Sequence, residues 1–152
     1  MADDFIFEGS LADLDPGLSD LLSREDQRQR ETIILIPSES MAPDAVREAV
    51  GSTFANIYAE GYPREESRDM TEEEILDFEK ELAHYRRYSD PRYYKGVEYA
   101  DVLEALTRRR AAELFATNGI SADDLFVNVQ PLSGAPANNA VYTALLEPGD
   151  TI

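Results

Sequence analysis

VNVQPLSGAPANNAVYTALLEPGDTI, residues 127–152, is the stretch that decides the fold of this chain. With the residues just before it, the stretch predicts a strand over 125–130, a polar corner, a helix over 135–146 and a turn that leads into another strand. Strand–helix–strand units build parallel sheets that are buried on both faces and need several strands. We therefore expect an α/β fold of which this chain supplies about one complete strand, and an isolated sheet of that size is marginal in water.

The polar corner carries the features of an anion site. The first turn of a helix has N–H groups without intrahelical partners, and the helix dipole adds partial positive charge there. Ser133 supplies a hydroxyl, Gly134 lets the backbone approach a ligand closely, and Pro136 suits a first helical turn. The corner thus predicts a site for a phosphate or carboxylate. Taken alone, the same pattern is more often a serine cap without a ligand.

Composition excludes several classes of function. The 31 acidic residues outnumber the 14 Lys and Arg and give a net charge of −17, which would repel nucleic acid. The absence of cysteine excludes disulfides, thiolate metal sites and cysteine nucleophiles. The start of the chain has no apolar signal-peptide region and no stretch has the ~20 apolar residues of a membrane span, so we expect a cytoplasmic protein without membrane contact. Metal binding has no support, because acidic pairs such as Asp123-Asp124 more often cap a turn.

Periodicity outlines the elements before residue 64. Residues 1–15 have little pattern and are expected to form a loose arm. Helices are predicted over 16–30 and between Pro43 and Gly51, whose proline and glycine suit a helix start and stop. The run TIILIP, residues 32–37, predicts a short buried strand or an extended segment.

Two further helices are predicted after residue 64. Thr71 and Glu74 have the spacing of a capping box, and the residues that follow predict a surface helix with an apolar stripe of Ile75, Phe78, Leu82 and Tyr85. A helix over 98–115 has the stripe Tyr99, Val102, Leu103, Leu106 and Leu114. We expect the arginines at 108–110 to be exposed and ion-paired, and His84 to lie on the surface without a catalytic role.

Four stretches in one order carry a resemblance to a known family. They are LIPSES (35–40), NIYAEGYP (56–63), RYYKGVEYADVLEALTRRRAAELF (92–115) and NVQPLSGAPANNAVYTALLEPGDTI (128–152). In this order they resemble serine hydroxymethyltransferase, an enzyme that uses pyridoxal 5'-phosphate (PLP). The resemblance covers most of residues 30–152 except about 64–90, because the family usually has EGYP and RYY nearly adjacent.

The resemblance implies an aspartate-aminotransferase-like fold of type I. It predicts an N-terminal helical arm plus the beginning of the large PLP-binding domain, which would be incomplete in this chain. Residues 1–63 are assigned to the arm and dimer-contact segment, 64–90 to an inserted charged helix, and 91–152 to the start of the PLP-binding domain. The position of the inserted helix favours a place over the pocket entrance or at the dimer contact.

The family's site residues have counterparts in this chain. Ser133, Gly134 and Ala135 correspond to the Ser-Gly-Ser turn that holds the PLP phosphate, and Tyr58 would reach the phosphate of the neighbouring subunit. By the same resemblance Ser38 would lie near the substrate carboxylate and Glu60 would be the acid/base group. Tyr93 and Tyr94 would line the folate and amino-acid pocket.

Three positions depart from the family pattern. Ala135 lacks the second hydroxyl of the phosphate turn, although its N–H is retained. Ser40 replaces the asparagine of the family's Ser-Glu-Asn, and Lys95 replaces the first glycine after the tyrosine pair. Ala135 therefore removes one expected donor to the phosphate, and Lys95 alters the expected shape or stiffness of the tyrosine loop.

The resemblance implies PLP-dependent interconversion of serine and glycine with one-carbon transfer to tetrahydrofolate. The chain has two lysines, Lys80 and Lys95, and neither matches the family's cofactor lysine, which would follow Ile152. We therefore expect the chain to be inactive without that part. As partner we expect either that part or a second copy of the chain in a homodimer. Two alternatives stay open: a folate-independent PLP aldolase, and a non-catalytic binding or assembly module that keeps the family's dimer surface.

Overall fold

The computed structural model describes residues 9–88 and 92–152. The chain forms two compact units, Met1–Ser52 and Thr53–Ile152. Within the described residues, no helix is long and apolar enough to cross a membrane. The predicted division at 63 and 90 stays a prediction, and residues 89 and 90 of the predicted insertion lie outside the described part of the chain.

The described residues of the first unit, 9–52, contain three α-helices. They are α1 (Leu11–Leu14), α2 (Pro16–Glu31) and α3 (Asp44–Val50). The predictions for α2 and α3 are confirmed: α2 begins at its proline, and α3 lies between Pro43 and Gly51. The described residues of this unit, 9–52, include no buried residue.

Residues 10–14 are more ordered than the sequence pattern predicts. Ser10 and Asp13 form a capping box, in which the Asp13 N–H donates to the Ser10 hydroxyl at 3.3 Å and the Ser10 N–H donates to the Asp13 carboxylate at 3.4 Å. The prediction of a loose arm is therefore wrong for Leu11–Leu14, because a reciprocal cap stabilises even a short helix. Residues 1–8 of that predicted arm lie outside the described residues.

The run at residues 32–37 is not a buried strand. Ile33 and Leu35 are 83% and 84% exposed, and the described residues contain no β-strand. The buried-strand alternative is wrong here because a strand needs a neighbouring strand to accept and donate its backbone hydrogen bonds.

The second unit is also helical. Its α-helices are α4 (Glu72–Ile75), α5 (Phe78–Tyr88), α6 (Glu98–Phe115) and α7 (Gly134–Leu145). Short 3₁₀ helices lie at Thr53–Asn56, Glu65–Arg68 and Ala122–Asp124. The predictions of α6 and α7 and of a short turn capped by Ser121 are confirmed.

Between Glu72 and Tyr88 the inserted segment forms two α-helices where the sequence predicts one. The capping box of Thr71 and Glu74 is confirmed at the start of α4. The helix is interrupted at Leu76 and Asp77, and the Asp77 carboxylate accepts the backbone N–H of Lys80 at 3.1 Å. The single-helix prediction is wrong because an aspartate that caps a new helix competes with continuation of the old one.

The core of the second unit lies between α4 and α6. Ile75 is 1% exposed and packs with Val102 and Ala105, while Met70, Leu76 and Leu106 pack against this cluster. Glu72 of α4 accepts hydrogen bonds from Arg110 of α6 at 2.5 and 3.1 Å. The inserted segment therefore supplies the largest side chain of the core.

The buried face of α6 differs from the predicted stripe. Of that stripe only Val102 is buried, whereas Tyr99, Leu103 and Leu114 are exposed. The face turned to the interior consists mainly of alanines at 100, 105 and 112. Because alanine is small, this face lets neighbouring backbone approach closely. The predicted stripe is wrong because it runs through the large apolar residues, most of which lie on the exposed side of the helix.

The arginines at 108–110 have different environments. Arg109 pairs with Glu113 and Asp123, and Arg110 pairs with Glu72, so the prediction of ion pairing is confirmed for both. The prediction of exposure is confirmed for Arg110, whereas the Arg109 side chain is only 18% exposed. It is wrong for Arg108, which is buried and donates to the Ser67 hydroxyl at 2.7 Å. Burial lowers the pKa of Arg108, because desolvation penalises its charged form.

The strand predicted over 125–130 does not form in this chain. Phe126 is 75% exposed, and the Asn128 side chain accepts the backbone N–H of Gln130 at 3.0 Å. The α/β expectation is therefore not met by the described residues, whose regular structure is helical. A strand without a partner strand leaves its backbone groups to side chains and water.

Candidate functional site

The N-terminus of α7 presents the predicted phosphate corner. Ser133 has an extended backbone, with φ −162° and ψ 174°, and its hydroxyl makes no hydrogen bond to the helix that it precedes. A Cβ atom placed on Gly134 would meet nothing within 4 Å, so the space before the helix is open. The first-turn N–H groups and this hydroxyl fit an anion such as a phosphate. The binding of a cofactor phosphate by Ser133, Gly134 and Ala135 stays a prediction.

The loop that carries Tyr58 and Glu60 is held by one arginine. Arg92 donates through Nη1 to the carbonyl oxygens of Ala59 and Gly61, the latter at 3.0 Å. The Tyr58 ring is 80% exposed, and the Glu60 side chain is also exposed. The loop backbone is therefore fixed while these two predicted site residues face outward.

Arg92 is itself anchored on α6. Its Nε pairs with Asp101, and its Nη2 donates to Glu104 at 2.8 Å. Gln130, three residues before the corner, donates through Nε2 to Glu104 at 3.0 Å and to the Gly61 carbonyl at 2.7 Å. One cluster thus joins the Glu60 loop, helix α6 and the segment that leads into α7. We call Arg92, Asp101, Glu104 and Gln130 the arginine cluster.

The tyrosine pair adjoins the Glu60 loop. The backbone N–H of Tyr93 donates to the Glu60 carbonyl at 3.3 Å, so two of the predicted site residues are brought together. The Tyr93 ring is 81% exposed and the Tyr94 ring 41% exposed. Their roles in a folate and amino-acid pocket stay predictions.

The inserted segment contacts the tyrosine loop directly. The backbone N–H of Gly96 donates to the Tyr85 hydroxyl of α5 at 2.9 Å. Gly96 has a φ of +97°, a conformation that favours glycine. His84, predicted on the surface, is half-buried and lies against the Tyr88 ring with centroids 4.9 Å apart. The expected position of the insertion at a pocket entrance or dimer contact stays a prediction.

Ser38 lies in the first unit, in a turn closed by a hydrogen bond from the Glu39 N–H to the Ile36 carbonyl at 3.1 Å. It is exposed. The proposed contact of Ser38 with a substrate carboxylate stays a prediction.

Cofactor and metal chemistry have few candidates among the described side chains. Lys80 and Lys95 are both exposed. In residues 9–88 and 92–152 there is no group of three or more His, Asp or Glu that could hold a metal ion.

Sequence reasoning missed the arginine cluster. Arg92 stands directly before the tyrosine pair, and nothing in its immediate sequence distinguishes it from an exposed arginine. A usable signal was the pair Asp101 and Glu104, which are three residues apart and therefore share a helix face. Their side chains are 15% and 11% exposed, which a buried cation accounts for.

Comparison with known proteins identifies the class. A serine hydroxymethyltransferase of Erythrobacter litoralis is 43% identical over 141 residues, which are 93% of this chain and 25% of the relative. Those of Aggregatibacter actinomycetemcomitans and Haloquadratum walsbyi are 43% and 42% identical, over 94% and 93% of this chain and 26% of each relative. The relatives are transferases by name.

A family profile described as serine hydroxymethyltransferase matches residues 11–90 and 86–152. The chain belongs to the serine hydroxymethyltransferase family, which confirms the resemblance drawn from the four motifs. It spans about a quarter of the length of the curated relatives that it matches.

Proposed function

We propose that this chain forms the cofactor-phosphate corner and the acid/base loop of a serine hydroxymethyltransferase. The whole enzyme would interconvert serine and glycine and pass the one-carbon unit to tetrahydrofolate. The observation that carries the proposal is the family match across both halves of the chain, combined with an open helix N-terminus at the position of the family's phosphate turn.

The phosphate of PLP would be held at the start of α7. The Ser133 hydroxyl and the N–H groups of Gly134 and Ala135 would donate to its oxygens, and the helix dipole favours the negative charge. Tyr58, which is exposed, would donate to the phosphate bound by the neighbouring subunit of a dimer. When bound, PLP supplies an electron sink for the substrate carbon.

The substrate would meet residues from three loops. Ser38 would bind its carboxylate, and Tyr93 and Tyr94 would line the amino-acid and folate pocket. Glu60 would act as the acid/base group that transfers protons to and from the serine hydroxyl and the folate. Because Lys80 and Lys95 do not match the family's cofactor lysine, the activity requires a further lysine-bearing part of the enzyme, and the chain by itself is inactive.

A phosphate titration tests the corner. Inorganic phosphate and PLP are added to the isotope-labelled chain, and the amide signals of Gly134 and Ala135 are followed by NMR. Ser133→Ala should weaken phosphate binding by about tenfold or more, because a hydrogen bond to a charged group contributes ~1.5–3 kcal/mol. The control is Ser121→Ala, which removes a hydroxyl at a different cap. Chemical shifts of Gly134 and Ala135 that stay unchanged on addition of both ligands would contradict the assignment of this corner as a phosphate site.

An assembly assay tests the activity. The chain is combined with the lysine-bearing remainder of a relative, and serine cleavage is measured with and without tetrahydrofolate. We expect turnover in the assembly, dependence on folate, and none with the chain alone. Serine cleavage at the same rate with and without tetrahydrofolate would support the aldolase alternative. An assembly that forms without turnover would support the binding module.

A further inference from the structure

The backbone on either side of Glu60 is tied to a buried cation. Arg92 is 7% exposed as a residue, and its side chain is 1% exposed. Nη1 of Arg92 donates to the carbonyls of Ala59 and Gly61, the two neighbours of Glu60. We propose that Arg92 is a positioning residue that fixes Glu60 for proton transfer, an inference that rests on the proposed function.

The contacts require the shape of a guanidinium group. Nε faces Asp101, Nη2 faces Glu104, and Nη1 faces the loop carbonyls, so the partners surround the planar fork. A lysine ammonium is a compact point charge with three donors and cannot reach these separated partners at once. Arg92→Lys therefore preserves the charge and removes the geometry.

The base of this arrangement is the packed helix α6. Asp101 and Glu104 project from a helix with five buried residues, so their carboxylates are fixed relative to the core. Removal of Arg92 would leave both carboxylates poorly solvated and without their cation, because their side chains are 15% and 11% exposed. Gln130 gives Glu104 and the Gly61 carbonyl a second shared partner.

The consequence falls on Glu60 because its backbone is held at several points. Its neighbours' carbonyls bind Arg92, its own carbonyl accepts the N–H of Tyr93, and Gly61 turns the chain with a φ of +101°. The exposed side chain of Glu60 therefore leaves a fixed stretch of backbone and has only its own rotamers to sample. General acid/base catalysis needs such placement, since proton transfer requires hydrogen-bond distance to the reacting group.

Amide exchange in the chain tests the positioning directly. Hydrogen exchange is measured at Tyr93, whose N–H reports closure of the Glu60 loop, in wild type, Arg92→Lys and Arg92→Gln. We expect exchange to accelerate by about tenfold or more in both variants, as local opening becomes easier. The matched control is Arg108→Lys, a buried arginine that bonds Ser67 and not this loop. Unchanged exchange at Tyr93 in folded Arg92 variants would overturn the proposal.

A double-mutant cycle in the assembled enzyme links Arg92 to Glu60. Arg92→Lys should lower kcat by on the order of 100-fold, because about 1 Å of misplacement costs that much, while KM for serine changes little. In a Glu60→Gln background the same substitution should have almost no further effect on kcat, since residues that act as a unit are not additive. Additive losses would assign Arg92 a structural role and overturn the proposal.

The two failures are distinguishable. If Glu60→Gln leaves turnover unchanged, the proposed role of Glu60 fails, and so does the catalytic consequence assigned to Arg92. The exchange measurement at Tyr93 then still reports whether Arg92 holds the loop. If Glu60→Gln lowers turnover while Arg92→Lys lowers neither turnover nor loop protection, the positioning inference alone is overturned.

Discussion

Helices α6 and α7 are both amphipathic by sequence, yet they differ in how much of each helix is buried. Helix α6 has five buried residues, contacts the inserted segment and carries Asp101 and Glu104 of the arginine cluster. Helix α7 has none, and its apolar residues Val141 and Leu145 are 52% and 75% exposed. An apolar stripe shows that a helix face can pack, and it does not show which part of a protein covers that face.

The difference also separates two kinds of site. The α6 side is built from satisfied groups, in which carboxylates, a guanidinium and carbonyls bind one another. The α7 corner has an unengaged hydroxyl and open space. Groups of the first kind position a site, and groups of the second kind are available to a ligand. We expect the same contrast in the free energy that each group contributes to folding.

Loss of a carboxylate from the arginine cluster should have the largest effect. Glu104→Ala removes an acceptor of both Arg92 and Gln130 and leaves the buried guanidinium with less compensation. We expect a decrease of about 3–5 kcal/mol in the free energy of unfolding, measured with urea. The control is Glu113→Ala on the same helix, an exposed partner of Arg109, with a cost within about 1 kcal/mol. Equal costs for both would break the contrast.

Truncation of the core side chain between α4 and α6 comes next. Ile75→Ala should decrease the free energy of unfolding by about 2–5 kcal/mol, because it opens a cavity at a fully buried position. Leu114→Ala, on the exposed face of α6, is the matched control and should change stability by no more than about 0.5 kcal/mol. Thermal unfolding of both variants decides the comparison, and a silent Ile75→Ala would mean that the insertion is not packed on α6.

Acidification should have a smaller effect, through the bridge from α4 to α6. The hydrogen bond from Arg110 lowers the pKa of Glu72 from its ordinary value of 4.5. A lowered folded-state pKa gives stability that is present above the ordinary value and is lost as pH falls through the lowered one. The stability difference between wild type and Glu72→Gln should therefore be present at neutral pH and shrink below pH 4.5. It should also shrink in high salt, because the pair is exposed. A difference that grows on acidification would contradict this assignment.

The smallest effect is expected on α7. Leu145→Ala should change the stability of the chain by no more than about 0.5 kcal/mol, since the side chain is already 75% exposed. The same substitution in an assembly with the remainder of the enzyme should cost more, if that part covers the helix. A large cost in the chain alone would show that α7 is packed as firmly as α6.

Helix positions could be predicted from local signals. The proline of α2, the capping box of Thr71 and the bounds of α6 are encoded within a few residues, and these predictions are confirmed. The strands could not be predicted correctly, because a strand depends on a partner that local sequence does not specify. The break at Asp77 was missed because a cap inside a periodic pattern does not interrupt the periodicity.

The family was recognisable from the order of motifs, which the comparisons confirm. The supporting contacts of the site were not recognisable, because they join residues far apart in sequence. Arg92 and Gly61 are separated by 31 positions, and Gln130 and Gly61 by 69. Hydrophobic periodicity describes which residues share a face of one helix or strand. It does not predict which loop carbonyl a distant arginine binds.

The bond from Arg92 to the Gly61 carbonyl has a consequence for tolerance to length change. It joins Gly61 and Arg92, which flank the inserted segment, and the ion pair of Arg64 and Glu81 ties the segment to itself just past its start. A stretch fastened at its base can grow at its tip, because doubling a closed loop adds only about 0.6 kcal/mol of entropic cost. Because Ser67 and Ile75 of this stretch are buried against α6, the exposed break at Asp77, between α4 and α5, is the place where added sequence, such as a tag or a binding peptide, can be carried without moving Glu60.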